Sequence, residues 1–464
     1  MKSLSYLLVT AFAVFYLPTQ AFGQDNAQEN NPKIGLDLRS RTEFWNTPVE
    51  FAVYDNPYGF TLIRGRSSID YTLSIFKLHG SLQGASAINL PDNAFLGPGK
   101  SYFDSAEKKN PQNFSIQELY IKGKTGILDF SVGRIPIKDG AEVLYDNAKF
   151  NLIKEISISE RLVGKWDWTN LGRRFDGGTL GLNTEDIYIF LFGARSLSGG
   201  FDFSSAYSAL NILVGGGSLT LKKDLIENTE IRVFSIIYND ERDIIKNIYG
   251  KNLFLITPGI SGLSVQKLGE GEIDIVIWGA YQIGDFGVKK QQAFSLVAEL
   301  GYEFREVFLE PWIRVGIAYA TGENNPEDNT NRRFFNILPT NHKYYGYLDL
   351  FALSNLQNTY FQLFLSYDIL KFEISFHIFS LASTSDKWIY GSGAPSKNRI
   401  GYSEINYTNK NAGNELDLAV YLNPTRWFSS SFGFSVFLGS NELKNIFQNK
   451  SNATWIFSQI NLSF

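Results

Sequence analysis

The sequence predicts an all-β fold: a single transmembrane antiparallel β-barrel of about 18 strands, with long extracellular loops and short periplasmic turns. Three observations predict it. The chain ends on an amphipathic strand, period-2 segments recur along it, and 15% of its residues are aromatic, including 38 Phe and 24 Tyr. Such aromatic content is typical of a barrel with girdles of rings at the two membrane interfaces.

The last stretch, residues 454–464, reads T-W-I-F-S-Q-I-N-L-S-F. Its mostly apolar face carries Ile456, Ser458, Ile460, Leu462 and Phe464, and its polar face carries Gln459, Asn461 and Ser463. This alternation indicates a strand. A final amphipathic strand ending in Phe464 resembles the assembly signal of bacterial outer-membrane barrels. The alternative is a soluble β-domain that happens to end in Phe.

Composition excludes several classes of protein. The 464 residues include no Cys, and Met1 is the only methionine, so there is no disulfide framework, thiolate nucleophile or Cys metal site. Mean hydropathy is -0.13, and no apolar run of ~18 residues follows the N-terminal segment, which argues against a helical membrane protein. The net charge of -4 gives no reason to expect nucleic acid. No cofactor and no metal are expected.

The first residues have the three parts of a secretory signal peptide. Lys2 supplies the positive region, residues 4–17 the apolar region, and residues 21–23 the small-x-small cleavage site. A transmembrane anchor is the weaker reading, because the apolar run is short and Pro18 interrupts it. The predicted organisation is a signal peptide (1–23), a disordered segment (24–32) and an outer-membrane β-barrel (33–464).

Residues 33–45 show why the pattern favours a membrane barrel. Apolar residues such as Ile34, Leu36 and Leu38 share one face, whereas Asp37, Arg39, Arg41 and Glu43 share the other. Lipid cannot solvate charge, so the apolar face is expected to meet lipid and the charged face the lumen.

The same alternation recurs in about eighteen segments: 33–45, 60–71, 73–84, 115–123, 127–133, 177–183, 187–195, 207–221, 229–238, 261–268, 272–283, 290–303, 308–320, 357–367, 371–381, 414–422, 426–438 and 454–464. An extra hairpin within residues 150–168 would raise the number of strands to twenty. An even number places both termini on the periplasmic side. Tight connections alternate with long polar ones, the longest being 85–114, 134–176, 322–357 and 382–413.

Several segments resemble the alginate-export family of outer-membrane channels. They are R-S-R-T-E-F-W (39–45), R-G-R (64–66), V-G-R-I-P-I-K-D-G (132–140), W-D-W-T-N-L-G-R-R-F-D-G-G-T-L (166–180), F-F-N-I-L-P-T-N-H-K-Y-Y-G-Y-L-D-L-F (334–351) and G-N-E-L-D-L (413–418). They follow the family's order, and the cluster 335–349 carries the most weight. The resemblance implies an eighteen-stranded barrel that passes a polysaccharide, with an arginine-rich lumen in the alginate exporter itself.

Four arginines are the first candidates for a substrate path: Arg39 and Arg41 on strand 1 should face Arg64 and Arg66 on strand 2. Arginine holds carboxylates bidentately and never deprotonates, so the patch would suit an anionic sugar. Alternatively, the four pair with Asp37, Glu43 and Asp70 in a mixed network that braces the wall. The remaining predicted lumen set is mixed in sign and includes Arg232, Arg314, Glu118, Glu299 and Glu310.

In or beside the long third loop lie Arg134, Arg173, Arg174 and Asp176, which we treat as loop-constriction candidates. The loop would then fold into the lumen, or an Arg–Asp pairing would pin it to the wall. A second loop, 323–345, is long enough to act as a lid. His342 and Tyr344 in that loop are expected to hold its shape rather than to do chemistry.

The predicted function is an outer-membrane channel of the alginate-export type that passes an anionic polysaccharide or other hydrophilic solute by diffusion. A general diffusion porin is the alternative. Enzyme activity is not expected, since the only histidines are His79, His342 and His377 and none belongs to a recognisable catalytic set. A TonB-dependent transporter is not expected, because it would need an N-terminal plug. A hydrocarbon channel is not expected either, because it would need an apolar lumen and the predicted lumen is charged.

We expect a monomer in the bacterial cell outer membrane. Its expected partners are outer-membrane lipid and lipopolysaccharide, and the barrel assembly machinery through the C-terminal strand ending in Phe464. A periplasmic polysaccharide export complex would be a further partner.

Overall fold

The structure is a computed structural model that describes residues 31–48, 54–391, 395–447 and 450–464. The predicted signal peptide and most of the predicted disordered segment lie outside these residues. The strands are, in chain order, β1 (Lys33–Asn46), β2 (Tyr58–Leu73), β3 (Phe76–Ile88), β4 (Gln112–Thr125), β5 (Leu128–Ile135), β6 (Phe175–Asn183), β7 (Ile187–Leu197), β8 (Ala209–Ile226), β9 (Thr229–Asp240), β10 (Leu253–Leu268), β11 (Gly271–Phe286), β12 (Lys289–Glu303), β13 (Trp312–Ala320), β14 (Thr330–Asn331), β15 (Leu356–Tyr367), β16 (Leu370–Leu381), β17 (Trp388–Tyr390), β18 (Ser403–Ile405), β19 (Asn411–Leu422), β20 (Phe428–Gly439) and β21 (Ala453–Ser463).

Eighteen of these strands form one closed antiparallel barrel, which confirms the predicted fold. The short strands β14, β17 and β18 lie in connections on the outer side. The described helices are α1 (Pro98–Ala106), α2 (Ala148–Ser157), α3 (Asp243–Tyr249) and α4 (Leu443–Ile446), with a 3-10 turn at Asn341–Lys343. Among the described residues, no helix has the length and apolar character needed to cross a membrane.

The barrel closes where the first strand meets the last. β1 pairs with β2 on one edge and with β21 on the other, so that Leu38 faces Leu462 and Trp45 faces Trp455. The Phe464 N–H donates to the Leu36 carbonyl at 2.8 Å. Closure leaves no unpaired strand edge, which lipid would not tolerate because it cannot hydrogen-bond free backbone groups.

Side chains alternate across the wall as the sequence predicts. On β11, Ile275 and Ile277 are exposed on the outer face, whereas Asp274, Val276 and Trp278 are buried on the inner face. The outward residues of most other barrel strands are also apolar. Burying ionised side chains in lipid is unfavourable, so a one-residue register slip would be strongly opposed.

Strand boundaries differ from the prediction where proline interrupts a strand. β10 begins at Leu253 rather than near residue 261, because Pro258 sits where pairing with β11 breaks between Ile256 and Gly259. A break in strand pairing can accommodate proline, which has no backbone N–H to donate to the neighbouring strand. Conversely, β13 begins at Trp312 rather than near residue 308, because Pro311 and left-handed backbone at the two preceding residues end the turn there.

Connections on the two sides of the barrel differ in length. Most periplasmic turns span two to five residues, and the longest runs from 304 to 311. The longest outer connections are residues 136–174 and 321–355. One outer connection, Gly287–Val288, is as short as a periplasmic turn. The alternation of lengths therefore holds with that exception.

The two longest outer connections fold into the barrel and fill much of its interior. We call them loop A (residues 136–174) and loop B (residues 321–355). They meet at a parallel bridge between Val163 and Leu338. Phe150, Leu162 and Leu348 are fully buried. The helix α2 occupies the stretch where an extra hairpin was considered, and its N-terminus is capped by Asn147, whose side chain accepts from the Phe150 N–H at 3.0 Å. The strand count is thus eighteen, not twenty.

Replacing Gly284 with Val should weaken the barrel. Gly284 has φ +131°, and a Cβ there would lie 2.0 Å from the Phe254 carbonyl oxygen. Strained backbone of this kind costs about 1–3 kcal/mol. Heat modifiability on semi-native gels and the thermal midpoint should both fall.

Gly193 is the matched control for that substitution, because a Cβ there meets nothing within 4 Å. Gly193→Val should retain the folded band and the midpoint of the original chain. Equal behaviour of the two variants would contradict the close approach at Gly284.

Candidate transport pathway through the barrel lumen

The arginine cluster, defined as Arg39, Arg41, Arg64 and Arg66, lies on the inner wall formed by β1 and β2. Arg39 and Arg64 are direct cross-strand partners, and Arg66 stands opposite Asp37. Arg39, Arg41 and Arg64 are only 5%, 1% and 6% exposed. They face inward, but other parts of the protein cover them, so they do not line an open channel.

The cover is the docking segment, defined as residues 165–170 of loop A. Arg39 donates to the carbonyls of Asp167 at 2.8 Å and Thr169 at 2.9 Å. Arg41 donates to the Trp168 carbonyl at 2.7 Å, and Arg64 to the Asp167 carbonyl at 3.2 Å. The cluster therefore anchors a loop through backbone oxygens.

The Asp167 carboxylate is the charged group at the centre of this contact. Arg66 Nη2 lies 2.8 Å from its Oδ1, Arg174 Nη2 3.2 Å, and Lys165 Nζ lies 3.6 Å from its Oδ2. Burial alone would raise the pKa of Asp167, but Arg174, Arg66, Lys165 and Arg64 together hold it well below its usual range. Asp167 is thus a carboxylate bound in a cationic site made by its own chain.

Intramolecular pairs also brace the wall, as the alternative reading of the arginines predicts. Arg41 Nε bonds Glu43 Oε1 at 2.8 Å, and Arg64 lies 3.5 Å from Asp37. Asp70 instead meets His79 at 2.9 Å and Lys77 at 3.5 Å. The cluster therefore both braces the wall and holds the docking segment.

An aromatic stack joins loop A to loop B at the same place. The Trp168 ring stacks on His342 with 3.8 Å between ring centroids and 11° between planes, and the Arg41 guanidinium lies 3.9 Å from the Trp168 centroid. His342 Nδ1 also lies 2.9 Å from Asp349 Oδ2. His342 therefore links the two loops, and Tyr347 stacks on its ring at 5.2 Å.

Other predicted lumen charges also pair with loop A. Arg232 bonds Asp139 at 2.6 Å and Glu142 at 2.7 Å. Glu118 accepts from Arg174 Nε at 2.7 Å. Arg232 and Glu118 thus each have a partner of opposite sign on the inserted loop, which is what a buried charge requires.

Glu299 and Arg314 form a further site beneath α2. Arg314 Nη2 lies 2.6 Å from Glu299 Oε2 and 3.0 Å from Ser157 Oγ, and Arg161 Nη2 lies 3.3 Å from Glu299 Oε1. Tyr360 donates to the same carboxylate at 2.6 Å. This network attaches the end of α2 to β12 and β13.

Carboxylates concentrate on the wall formed by β16 and β19. Glu373, Glu415 and Asp417 are all buried there. The Leu348 N–H donates to Glu415 Oε1 at 2.9 Å, and the Tyr347 N–H to Asp417 Oδ2 at 3.4 Å. Loop B therefore docks on an acidic wall, as loop A docks on a basic one.

Three predicted site residues lie elsewhere than expected. Glu310 is exposed in the periplasmic turn, not on a lumen face, because the strand starts only at Trp312. Arg134 and Asp176 are not in loop A: they lie on β5 and β6, opposite each other, and bond at 2.8 Å. Their strand parity is that of the outward residues, so they cannot form a lumen constriction.

Arg173 and Arg174 do lie inside the barrel. Arg173 Nη1 donates to the carbonyls of Leu338 at 2.5 Å and Gly164 at 3.0 Å, which ties loop A to loop B. Sequence reasoning missed the roles of Asp167 and Trp168. The signal was present, since both belong to the W-D-W-T-N stretch that resembles the family.

Comparison with known proteins agrees with this architecture. A family model described as alginate export matches residues 156–457, more than half of the chain. No sequence match was found among curated proteins.

Similar solved structures are outer-membrane proteins of Pseudomonas aeruginosa, each about 10% identical. OpdK with vanillate has a TM-score of 0.57 over 93% of this chain and 99% of that chain. OccK9 (OpdG) has 0.60 over 94% and 98%. OccK2 (OpdF) in complex with glucuronate has 0.56 over 94% and 98%.

At this identity the likeness shows the fold alone, whereas the family match covers residues 156–174 of loop A and the whole of loop B. The fold and the family are those of channels rather than enzymes. The chain belongs to the alginate export family and is an outer-membrane channel.

Proposed function

We propose that this channel lies in the bacterial outer membrane and passes a carboxylate-bearing polysaccharide or other anionic hydrophilic solute by diffusion, without a chemical step. The observation that carries the proposal is Asp167. Its carboxylate sits among Arg66, Arg174 and Lys165, on the wall that also holds the other three arginines of the cluster. The lumen therefore already binds one carboxylate, supplied by the chain itself.

A solute carboxylate could replace the contacts of the docking segment with better ones. Arg39, Arg41 and Arg64 donate to neutral backbone carbonyls of that segment. Hydrogen bonds between a guanidinium and a carboxylate are about twice as strong as neutral ones and can be bidentate. A polyanion entering the lumen would thus compete with the docking segment for these arginines.

Passage would depend on displacement of loop A, because the loop covers the cluster. The contacts between the docking segment and the cluster are hydrogen bonds and ion pairs, so a solute carboxylate can exchange them for its own without unfolding the buried apolar part of loop A. Each solute carboxylate would occupy a site for a short time and pass to the next, since successive arginines stand on adjacent strands.

The structural relatives support the ligand class. OpdK was solved with vanillate and OccK2 with glucuronate, and both compounds are carboxylates. A protein of the same fold can therefore bind a carboxylate compound. We infer the same class here from the chemistry of the arginine cluster.

A general diffusion porin is the second candidate. The acidic wall that carries Glu373, Glu415 and Asp417 favours it, because a lumen of mixed sign discriminates less between ions than a cationic one. The two candidates differ in ion preference, which can be measured.

Replacing the four cluster arginines with Ser, as Arg39→Ser, Arg41→Ser, Arg64→Ser and Arg66→Ser together, should shift selectivity toward cations. The reason is the loss of four fixed positive charges beside the path. Reversal potential in a salt gradient across a planar bilayer measures the shift.

The control for this experiment is Arg305→Ser. Arg305 lies in the periplasmic turn, 2.6 Å from Glu272, and is outside the cluster. It should leave the reversal potential unchanged. If the fourfold variant showed higher conductance but the same ion selectivity, the cluster would only anchor the loop and would have no role in selecting anions.

Asp167→Ala should raise mean single-channel conductance, because it removes the carboxylate that Arg66 and Arg174 hold. Removing one partner of a buried ion pair costs about 3–5 kcal/mol, so the docked state of loop A should lose population strongly. Asp224→Ala is the control, since Asp224 is exposed and pairs with its neighbour Lys223 at 2.8 Å. Equal conductance of the two variants would count against loop docking.

Conductance should not depend on Asp167 titration between about pH 7 and about pH 5. The folded pKa of Asp167 is depressed, so its contribution to docking is present above the unfolded pKa of about 3.9 and is lost only as pH falls through the folded pKa. Asp167→Asn should show the raised conductance throughout this range. If acidification over this range raised the conductance of the original chain but not that of Asp167→Asn, the assignment of a depressed pKa to Asp167 would be wrong.

A further inference from the structure

The acidic wall, which carries Glu373 on β16 and Glu415 and Asp417 on β19, lacks the kind of partner that the arginine cluster has. In the described part of the chain, no lysine or arginine lies within ion-pair distance of these three carboxyl groups, and the ion pair on this wall joins Asp417 to His377 at 3.7 Å. Buried carboxylates that no cation balances are costly. Loop A therefore neutralises the wall that it meets, whereas loop B does not.

Three carboxyl oxygens at this wall are buried and unused. Glu415 and Asp417 are 0% and 1% exposed, and Asp349 of loop B, which lies near Glu415, is 5% exposed. Among the residues that the structure describes, nothing donates a hydrogen bond to Glu415 Oε2, Asp417 Oδ1 or Asp349 Oδ1. The wall therefore has acceptor capacity that the described chain does not fill.

Loop B meets this wall with neutral hydrogen-bond donors. The N–H groups of the consecutive residues Tyr347 and Leu348 donate to Asp417 Oδ2 at 3.4 Å and to Glu415 Oε1 at 2.9 Å. The loop backbone comes so close that a Cβ on Gly346 would lie 2.4 Å from Glu415 Oε1. A charged donor would gain more from the same oxygens than a backbone N–H does, because charge-assisted hydrogen bonds are about twice as strong.

Aromatic side chains border the same carboxyl groups. The Tyr421 hydroxyl donates to Glu373 Oε2 at 3.2 Å, and the Tyr347 hydroxyl lies 3.1 Å from that of Tyr421. An ammonium group is attracted both to carboxylates and to aromatic rings. A bare metal ion fits less well, because no group of three acidic or histidine side chains in the described ranges is arranged to hold one.

We propose that the acidic wall is a second subsite of the lumen and binds an ammonium group carried by a hydrophilic solute. An ammonium group has three N–H donors, and it replaces the N–H groups of Tyr347 and Leu348 when loop B moves aside. It donates to Glu415 and Asp417, and its charge balances theirs. This subsite does not depend on the arginine cluster.

A solute that carries both a carboxylate and an ammonium group would use both walls. This consequence rests on the proposed function, because it takes the arginine cluster as the carboxylate site. Stacked rings connect the two walls: Trp168 stacks on His342 with 3.8 Å between ring centroids, and His342 stacks on Tyr347 with 5.2 Å. The two sites are therefore only a few side chains apart.

Block of the single-channel current by D-glucosamine in its ammonium form tests the subsite, with N-acetyl-D-glucosamine as the uncharged sugar of the same ring. Glucosamine should block the original chain, and the N-acetyl sugar should produce few blocking events. Glu415→Gln and Asp417→Asn should each raise the glucosamine concentration for half-block about tenfold, because each removes one charged acceptor. Both amides still offer an oxygen to loop B, and heat modifiability on gels confirms that each variant is folded.

Asp243→Asn is the matched control. Asp243 is an exposed carboxylate at the start of α3, 3.6 Å from Lys246, and its replacement should leave the block unchanged. The fourfold arginine variant should retain the glucosamine block, so that failure of the proposed function and failure of this subsite can be told apart. Equal block by the two sugars, or glucosamine block that is unchanged in Glu415→Gln and Asp417→Asn, would overturn the proposal. So would complete loss of the block when Ca²⁺ is added at the same concentration, because the wall would then prefer a metal ion.

Discussion

Lipid cannot solvate an ionised side chain, and this constraint organises the whole molecule. The apolar side chains of each barrel strand must face outward, so almost all charged residues of the wall face inward. Inside, a charge in a crowded lumen needs a partner of opposite sign, because an unpaired buried charge is costly. Loop A supplies such partners, as Arg232 with Asp139 and Glu299 with Arg161 illustrate, and loop B supplies backbone N–H groups. The wall charges therefore determine where the loops dock.

The two loops meet different walls. Loop A presents Asp167 and three backbone carbonyls to arginines on β1 and β2, whereas loop B presents backbone N–H groups to Glu415 and Asp417 on β19. The stack of Trp168 on His342 joins them between these walls. Movement of one loop would therefore disturb the other, and the lumen would respond to a solute as one unit.

Periodicity predicted the barrel, the strand count and the last strand itself, because each strand is long and meets lipid on one face. Pro258 and Pro311 account for two boundary errors: proline stops a strand in one case and sits within an irregular strand in the other. Arg134 and Asp176 were misplaced because strands β5 and β6 extend further into the supposed loop than their composition indicates.

The candidate site was predictable only in part. The inward position of Arg39, Arg41 and Arg64 follows from strand parity alone. Their contacts with the docking segment do not, since these join residues more than a hundred positions apart in the chain. Such contacts depend on how loop A folds inside the barrel, and no periodicity encodes them. The W-D-W-T-N stretch was the sole local signal.

The most direct measurement is single-channel recording with a short oligouronate and with a neutral oligosaccharide of the same length. If the arginine cluster is a carboxylate site that Asp167 occupies at rest, the oligouronate should produce resolvable blocking events, and these should become more frequent when Asp167 is replaced by Ala. The neutral oligosaccharide should produce few such events in either protein. Equal blocking by the two sugars, or blocking that is indifferent to Asp167, would contradict this account.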